Sequence, residues 1–346
     1  MRVLMLLLVV SVILILPVSA MEYTAPEVSG DAQALLSDST TSFGADLWTI
    51  LSRAIGKLQP SLAEALGICG QVIAIAMLVS VCSGMLNSHQ RVTELAGVLA
   101  IGGVLLSCTQ SFVKMAAETV GHLSEYGKLL LPVLSAAVAS QGGVSTGVAL
   151  YTGTILFDTV LSTAVSKFLV PLVYGYLVLV VGASATGDGM LAQLCGFVKW
   201  LSSWLLKVVL YVFTGYMAIT GVVSGSTDAM ALKAAKLTMS GMVPVVGSIL
   251  SDASEAVLVS AGVVKNAVGI YGALALVAIG ITPFLQIGIQ YLLLKVTTGI
   301  SQIFGLKSVG TILGGFCTAM GILLGMTGSV CIMLLISVVC FMKGMM

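Results

Sequence analysis

Long apolar runs separated by short polar connections fill the chain from Pro60 onward. A helix that crosses a membrane needs about 20 mainly apolar residues, and runs of about this length recur. The pattern predicts about seven transmembrane helices, at residues 61–86, 95–113, 144–161, 168–185, 205–224, 268–294 and 311–342. The last run carries no charge and fits either one tilted helix or a hairpin near residues 325–328. We therefore expect an all-α fold with a polytopic helical membrane domain over residues 61–346.

Shorter segments lie between these runs. Residues 114–128 and 295–307 carry charged side chains and predict helices that lie along the membrane surface. Residues 129–143 are too few to span the bilayer alone. They predict either a re-entrant segment or the first half of a helix broken at Gly142 and Gly143.

The amino terminus has the order of a secretory signal peptide. Arg2 precedes an apolar stretch that ends at Pro17 and at the small-residue sequence Val-Ser-Ala of residues 18–20. We expect cleavage after residue 20, and an uncleaved signal anchor is the alternative. Residues 21–60 carry several acidic side chains before their first Lys or Arg, which predicts a short extracytoplasmic segment.

Composition strengthens the membrane assignment. Hydrophobic residues make up 58% of the 346-residue chain and charged residues 8%, and the mean hydropathy is +1.12. Soluble domains carry about 25% charged residues, so a soluble protein is excluded. The net charge of +1 provides no basic field for nucleic acid, and we expect the lipid bilayer as the partner. GxxxG spacings favour close helix contacts, within the subunit or by self-assembly; they lie at Gly143/Gly147, Gly221/Gly225, Gly310/Gly314 and Gly321/Gly325.

Motifs for catalysis are weak. The seven cysteines form no CxxC pair and fit packing positions, and neither HExxH nor a P-loop is present, so we expect no metal and no cofactor. Asp158 and Asp188 could form the dyad of an intramembrane aspartyl protease, but Ala185 stands where that motif requires glycine. The same two carboxylates with Lys167 could couple ions in a secondary transporter or permease. We favour a non-enzymatic protein over both alternatives.

Charged residues and a proline cluster between residues 226 and 265. The order of a capped first helix, an apolar break and a second capped helix predicts a re-entrant or interfacial helical hairpin. Its candidate docking or gating residues are Asp228, Lys233, Lys236, Pro244, Gly247, Asp252 and Glu255.

The same region carries a resemblance to a known family. Residues 214–269 contain TGYM, GVVSG, ALKAAK, VPVVGSILSDA and VKNAVG, and residues 295–305 read KVTTGISQIFG. With these motifs the chain resembles the stage III sporulation protein AE family of endospore-forming bacteria. The resemblance implies a membrane subunit of a channel or secretion-like complex between mother cell and forespore, required for sporulation after engulfment.

The resemblance also implies a location and partners. The location is the mother-cell-derived outer forespore membrane, which makes the chain a multi-pass protein of a cell membrane. The partners are the other products of the stage III sporulation A operon. No catalytic residue is implied.

Overall fold

Helices account for every regular element in the residues that the computed structural model describes, which confirms the all-α class. These residues are 30–33, 35, 43–85, 90–242, 247–303 and 307–343, with the backbone alone described for 30–31, 43, 90, 221–229, 231–265 and 307. The helices are α1 (Gly30–Gln33), α2 (Phe43–Gly56), α3 (Gln59–Met85), α4 (Gln90–Ser140), α5 (Val144–Ala164), α6 (Val170–Thr186), α7 (Gly189–Met242), α8 (Gly247–Ile303) and α9 (Lys307–Lys343).

Six helical segments of the described residues are long and apolar enough to cross a membrane, where the sequence predicts about seven. They are Gln59–Met85, Arg91–Ser140, Val144–Thr186, Gly189–Thr220, Asn266–Ile303 and Ser308–Lys343. The chain is therefore a multi-pass membrane protein. At 1.5 Å per residue, the 50-residue segment is about 75 Å long, well beyond the roughly 30 Å of a hydrocarbon core. This helix must extend outside the hydrocarbon region.

The predicted spans 144–161 and 168–185 are joined in the structure into one continuous helical run, Val144–Thr186. A π-helical turn, Val165–Leu169, connects α5 to α6. Pro171 lacks the N–H that would bond to the carbonyl group four residues earlier. The Val170 N–H bonds to the Val165 carbonyl oxygen instead, so one wide turn absorbs the proline without ending the helix.

Helix α4 corrects a second expectation. Residues 95–113, 114–128 and most of 129–143 form this one helix, so 114–128 is no separate surface helix. Apolar positions continue through the charged stretch, and Ala116 and Val120 are fully buried there. The helix ends at Ser140, as expected for a break at the glycines that follow. Residues 295–303 similarly belong to α8.

Helix α9 lies at the centre of the bundle and packs against α4, α5, α6, α7 and α8. Its run of residues 311–342 is one helix without a hairpin. Because no charge interrupts this run, large side chains on it can be fully buried, as Phe316, Met320 and Phe341 are.

A tight turn brings α4 and α5 together. Gly142 has a φ of 90°, a conformation that residues with a side chain rarely adopt. A Cβ atom at Gly147 would lie 2.9 Å from the Ser135 carbonyl oxygen, so only glycine allows this approach. On the other side of α5, Tyr216 of α7 donates its hydroxyl proton to the Ala149 carbonyl oxygen at 3.0 Å.

The structure describes only part of the amino-terminal region, residues 1–60. The predicted signal peptide of residues 1–20 lies outside the described residues and stays a prediction. Within the predicted segment 21–60, α2 packs against α8. Its Arg53 donates to the Leu35 carbonyl oxygen at 3.3 Å.

Candidate functional site

The hairpin predicted at residues 226–265 remains a prediction. Helix α7 continues to Met242 and α8 begins at Gly247. The side chains of Asp228, Lys233, Lys236, Asp252 and Glu255, and the whole of Pro244, lie outside the described residues. The structure therefore does not test whether the seven candidate residues meet.

A cavity of about 890 Å³ lies between α7, α8 and α9. Helix α9 contributes Gly314, Gly321, Gly325 and Gly328 to its wall, and their spacings of seven, four and three residues place them on one helix face. A Cβ atom at Gly314 would meet no heavy atom within 4 Å. Gly314 thus leaves open a space that a larger side chain would fill.

Three lysines line this cavity. Lys199 and Lys207 extend from α7 and Lys295 from α8, and all three are exposed. Ser203 lies between the two α7 lysines at a spacing of four, which places the three residues on one helix face. None of the described residues that line the cavity is Asp or Glu, and none of the three lysines forms an ion pair within the described part of the chain. The cavity wall is therefore cationic.

Two helix contacts give the positions of these lysines along the α9 axis, which we call their heights. The Cβ position of Gly325 lies 3.2 Å from Leu206, and that of Gly321 lies 3.7 Å from Tyr291. Counting along α7 and α8 at about 1.5 Å per residue places Lys199 and Lys295 at one height, near residues 317–318. Lys207 lies about 12 Å farther along α7.

The cavity changes character along its length. Around Lys199 and Lys295 it is polar, with the side chains of Thr298, Gln302 and Thr318. Farther along, beyond the height of Gly325, the apolar side chains of Leu210, Phe284 and Ile332 line the wall together with Lys207 and Ser329. It can hold a molecule that has a polar anionic end and an apolar body.

An aromatic row lies on α7 at the height of the polar end. The ring centroids of Phe197 and Trp200 are 5.9 Å apart, and those of Trp200 and Trp204 are 6.1 Å apart. About half of each side chain is exposed. Exposed Trp residues on membrane helices are enriched where headgroups meet hydrocarbon. The row is therefore consistent with a membrane surface near Lys199.

Asp158 lies elsewhere, inside the bundle. It is 1% exposed, and its Oδ2 accepts a hydrogen bond from Ser124 Oγ of α4, while its Oδ1 has no partner within the described residues. The predicted span of residues 144–161 would place Asp158 near its end, but this position is wrong, because α5 continues past Asp158 for several residues into the π-helical turn. This carboxyl group faces protein.

The two aspartates do not form one site. Asp188 lies in the exposed turn before α7, where its Oδ1 accepts a hydrogen bond from the Met190 N–H at 2.9 Å. Asp158 lies within the helical run Val144–Thr186, and Asp188 lies just beyond its carboxyl-terminal end. The helical residues between them place the two carboxylates roughly 40 Å apart along the helix axis. A shared proton is excluded at that distance, and Lys167 is exposed on the π-helical turn.

The residues described hold no group of three or more His, Cys, Asp or Glu side chains placed to bind a metal ion. All seven cysteines are free. Ordinary packing positions account for several of them, since Cys69 and Cys317 are buried.

Comparison with known proteins decides the family. The sequence profile of the stage III sporulation protein AE family matches residues 32–344. The chain belongs to this family. The resemblance based on residues 214–269 is thereby confirmed, and it extends over nearly the whole chain.

A curated relative carries the name of this family. Stage III sporulation protein AE of Bacillus subtilis (strain 168) is 23% identical over 241 residues, which cover 68% of this chain and 60% of the relative. The chain thus matches about three fifths of that protein's length. No solved structure matches the chain.

Sequence reasoning missed the lysine cavity. The spacing of Lys199, Ser203 and Lys207 was a usable signal, because residues four apart share a helix face. Lys295 gave no such signal, since its distance from Lys199 depends on how α8 packs beside α7.

Proposed function

We propose that the chain is a non-enzymatic integral membrane subunit of a channel or secretion-like complex that joins mother cell and forespore. The observation that carries the proposal is the family match over residues 32–344, which includes all six candidate spans. The relative's name places that protein at stage III of sporulation. The proposed location is the mother-cell-derived outer forespore membrane, and the proposed partners are the other products of the stage III sporulation A operon.

The internal arrangement suits a subunit better than an enzyme. Asp158 is enclosed by protein, and Asp188 lies at a distant turn, so these carboxylates offer no dyad for hydrolysis. The hairpin of residues 226–265 is our proposed docking or gating element, because it carries charged residues on both sides of an apolar break. Charged residues that meet a partner's complementary charges govern the choice of partner more than they govern the fold.

Deletion of the gene in its spore-forming host tests the proposal. We expect engulfment to finish, late forespore gene expression to stay weak, and heat-resistant spores to be lost. A second copy of the wild-type gene should restore all three. Normal numbers of heat-resistant spores in the deletion strain would contradict the proposed function.

Liposomes distinguish the subunit from a permease. The purified chain alone, reconstituted in liposomes, should release carboxyfluorescein or labelled inorganic phosphate no faster than protein-free liposomes do. Rapid flux of either probe without partner proteins would favour a permease instead.

A further inference from the structure

The lysine cavity between α7, α8 and α9 has an unbalanced charge. Lys199, Lys207 and Lys295 line one cavity whose described wall contains no carboxylate. Lysines placed together repel one another, and the repulsion grows where protein and lipid lower the local dielectric constant. A bound anion would remove this cost, so the wall is complementary to negative charge.

Size and lining narrow the choice of anion. The cavity volume of about 890 Å³ is near the upper end of ordinary ligand pockets, about 300 to 1,000 Å³. A free phosphate ion would fill a small part of it and would make no contact with Leu210, Phe284 and Ile332. An anion attached to an apolar chain would contact both the lysines and these apolar side chains.

The surrounding bilayer is a source of such a molecule, because the polar end of the cavity lies at the level of the lipid headgroups. Trp200 and Trp204 lie beside Lys199 on α7 and are about half exposed, as expected for residues at the headgroup level. Basic pockets between membrane helices bind the headgroups of anionic lipids. A lipid phosphate at this level can reach Lys199 and Lys295 from the surrounding bilayer.

We propose that the cavity between α7, α8 and α9 binds an anionic phospholipid. Its phosphate group lies between Lys199 and Lys295, and an acyl chain extends along α9 toward Ile332. Gly299 and Gly314 border the phosphate end, where neither has a heavy atom within 4 Å of a Cβ position, so the protein leaves room for the headgroup. This assignment concerns the purified chain and does not depend on the proposed sporulation role.

The test uses the full chain purified in a neutral detergent. Phosphatidylglycerol should raise its denaturation temperature, and phosphatidylcholine should not. Lys199→Gln combined with Lys295→Gln should weaken the apparent affinity for phosphatidylglycerol about fivefold for each lysine removed. Lys114→Gln is the matched control, because Lys114 is exposed on α4 beside Glu118 and lies outside the cavity.

A second variant keeps every lysine. Gly314→Leu fills the polar end and should also abolish the stabilisation by lipid. Its control is Gly175→Leu at an exposed glycine of α6 that likewise has open space around its Cβ position. This pair gives the answer even where the lysine variants do not fold.

Four results would overturn the assignment. The first is the absence of any stabilisation by phosphatidylglycerol, and the second is equal stabilisation of the wild type and both cavity variants. The third is equal stabilisation by inorganic phosphate, which would make the cavity a site for a free anion. The fourth is selective binding of a decaglutamate peptide in place of the lipid, which would assign the cavity to an acidic protein segment.

Discussion

Glycine has two opposite roles at the scale of single residues in this protein. At Gly147 and Gly153 it allows close contact, with the Ser135 backbone and with the Tyr216 ring. At Gly314 it leaves open space beside the lysines. The GxxxG spacings mark both kinds of position in the sequence. They do not separate the two roles, because the difference depends on which neighbouring helix packs there.

The contact at Gly147 gives a stability prediction. Gly147→Val should destabilise the protein by about 1–3 kcal/mol, because its side chain would collide with the Ser135 carbonyl group, which cannot rotate away. Gly175→Val, at an exposed helical glycine with open surroundings, should change stability by no more than about 0.5 kcal/mol. Thermal denaturation of the two purified variants measures the difference. Equal losses would contradict the close α4–α5 contact.

At the scale of helices, the sequence located apolar runs better than it located helix ends. Hydropathy reports which segments tolerate lipid, whereas a helix ends where turn residues and packing end it. Residues 114–128 are polar on one side, yet their apolar side keeps them in α4. The π-helical turn Val165–Leu169 has no Gly or Asn to mark it. The Gly142 turn was predicted, because glycine readily adopts the positive φ that often follows the end of a helix.

The predicted hairpin of residues 226–265 gives a prediction about function. Lys233→Gln combined with Lys236→Gln should leave the protein in the membrane at normal amounts while spore formation falls, since lost charge weakens docking more than folding. Pro244→Ala should act in the same direction by letting the flanking helices run together. Immunoblots of membrane fractions and heat-resistant spore counts measure the two effects.

Lys114→Gln is the control for these variants. Lys114 and Glu118 form an exposed ion pair at 3.7 Å, which contributes only about 0–1 kcal/mol. Normal accumulation together with normal sporulation in both hairpin variants would make this segment a simple connection between spans.

At the scale of the whole molecule, composition was enough to predict a helical membrane protein. Few charges and high hydropathy leave no other fold class with a satisfied backbone except a closed barrel, and apolar runs of about 20 residues favoured helices. The lysine cavity was beyond such reasoning. It requires α8 to pack antiparallel to α9 and α7 to pack beside both, and no single segment specifies that arrangement.

The orientation of the whole chain gives the last prediction. We expect the mature protein to begin at Met21 and residues 21–58 to lie outside the cytoplasm, since an acidic segment follows the signal sequence. Amino-terminal sequencing of the membrane form measures the first point. For the second, a cysteine at Ser39, in a chain whose exposed Cys82 is replaced by serine, should react with an impermeant thiol reagent added outside. A sequence starting at Met1, or labelling from the cytoplasmic side alone, would contradict these expectations.

Helix α4 has a mechanical consequence. Its 51 residues form one rod about 75 Å long, which packs against α3, α5, α6, α8 and α9. Pro132 is the single proline within it, close to the carboxyl-terminal end. The part of α4 that precedes Pro132 contains no proline, so it behaves as a stiff lever, and tilting one end displaces the other in the opposite direction. A force applied where α4 begins is thereby transmitted through the bundle as far as Pro132.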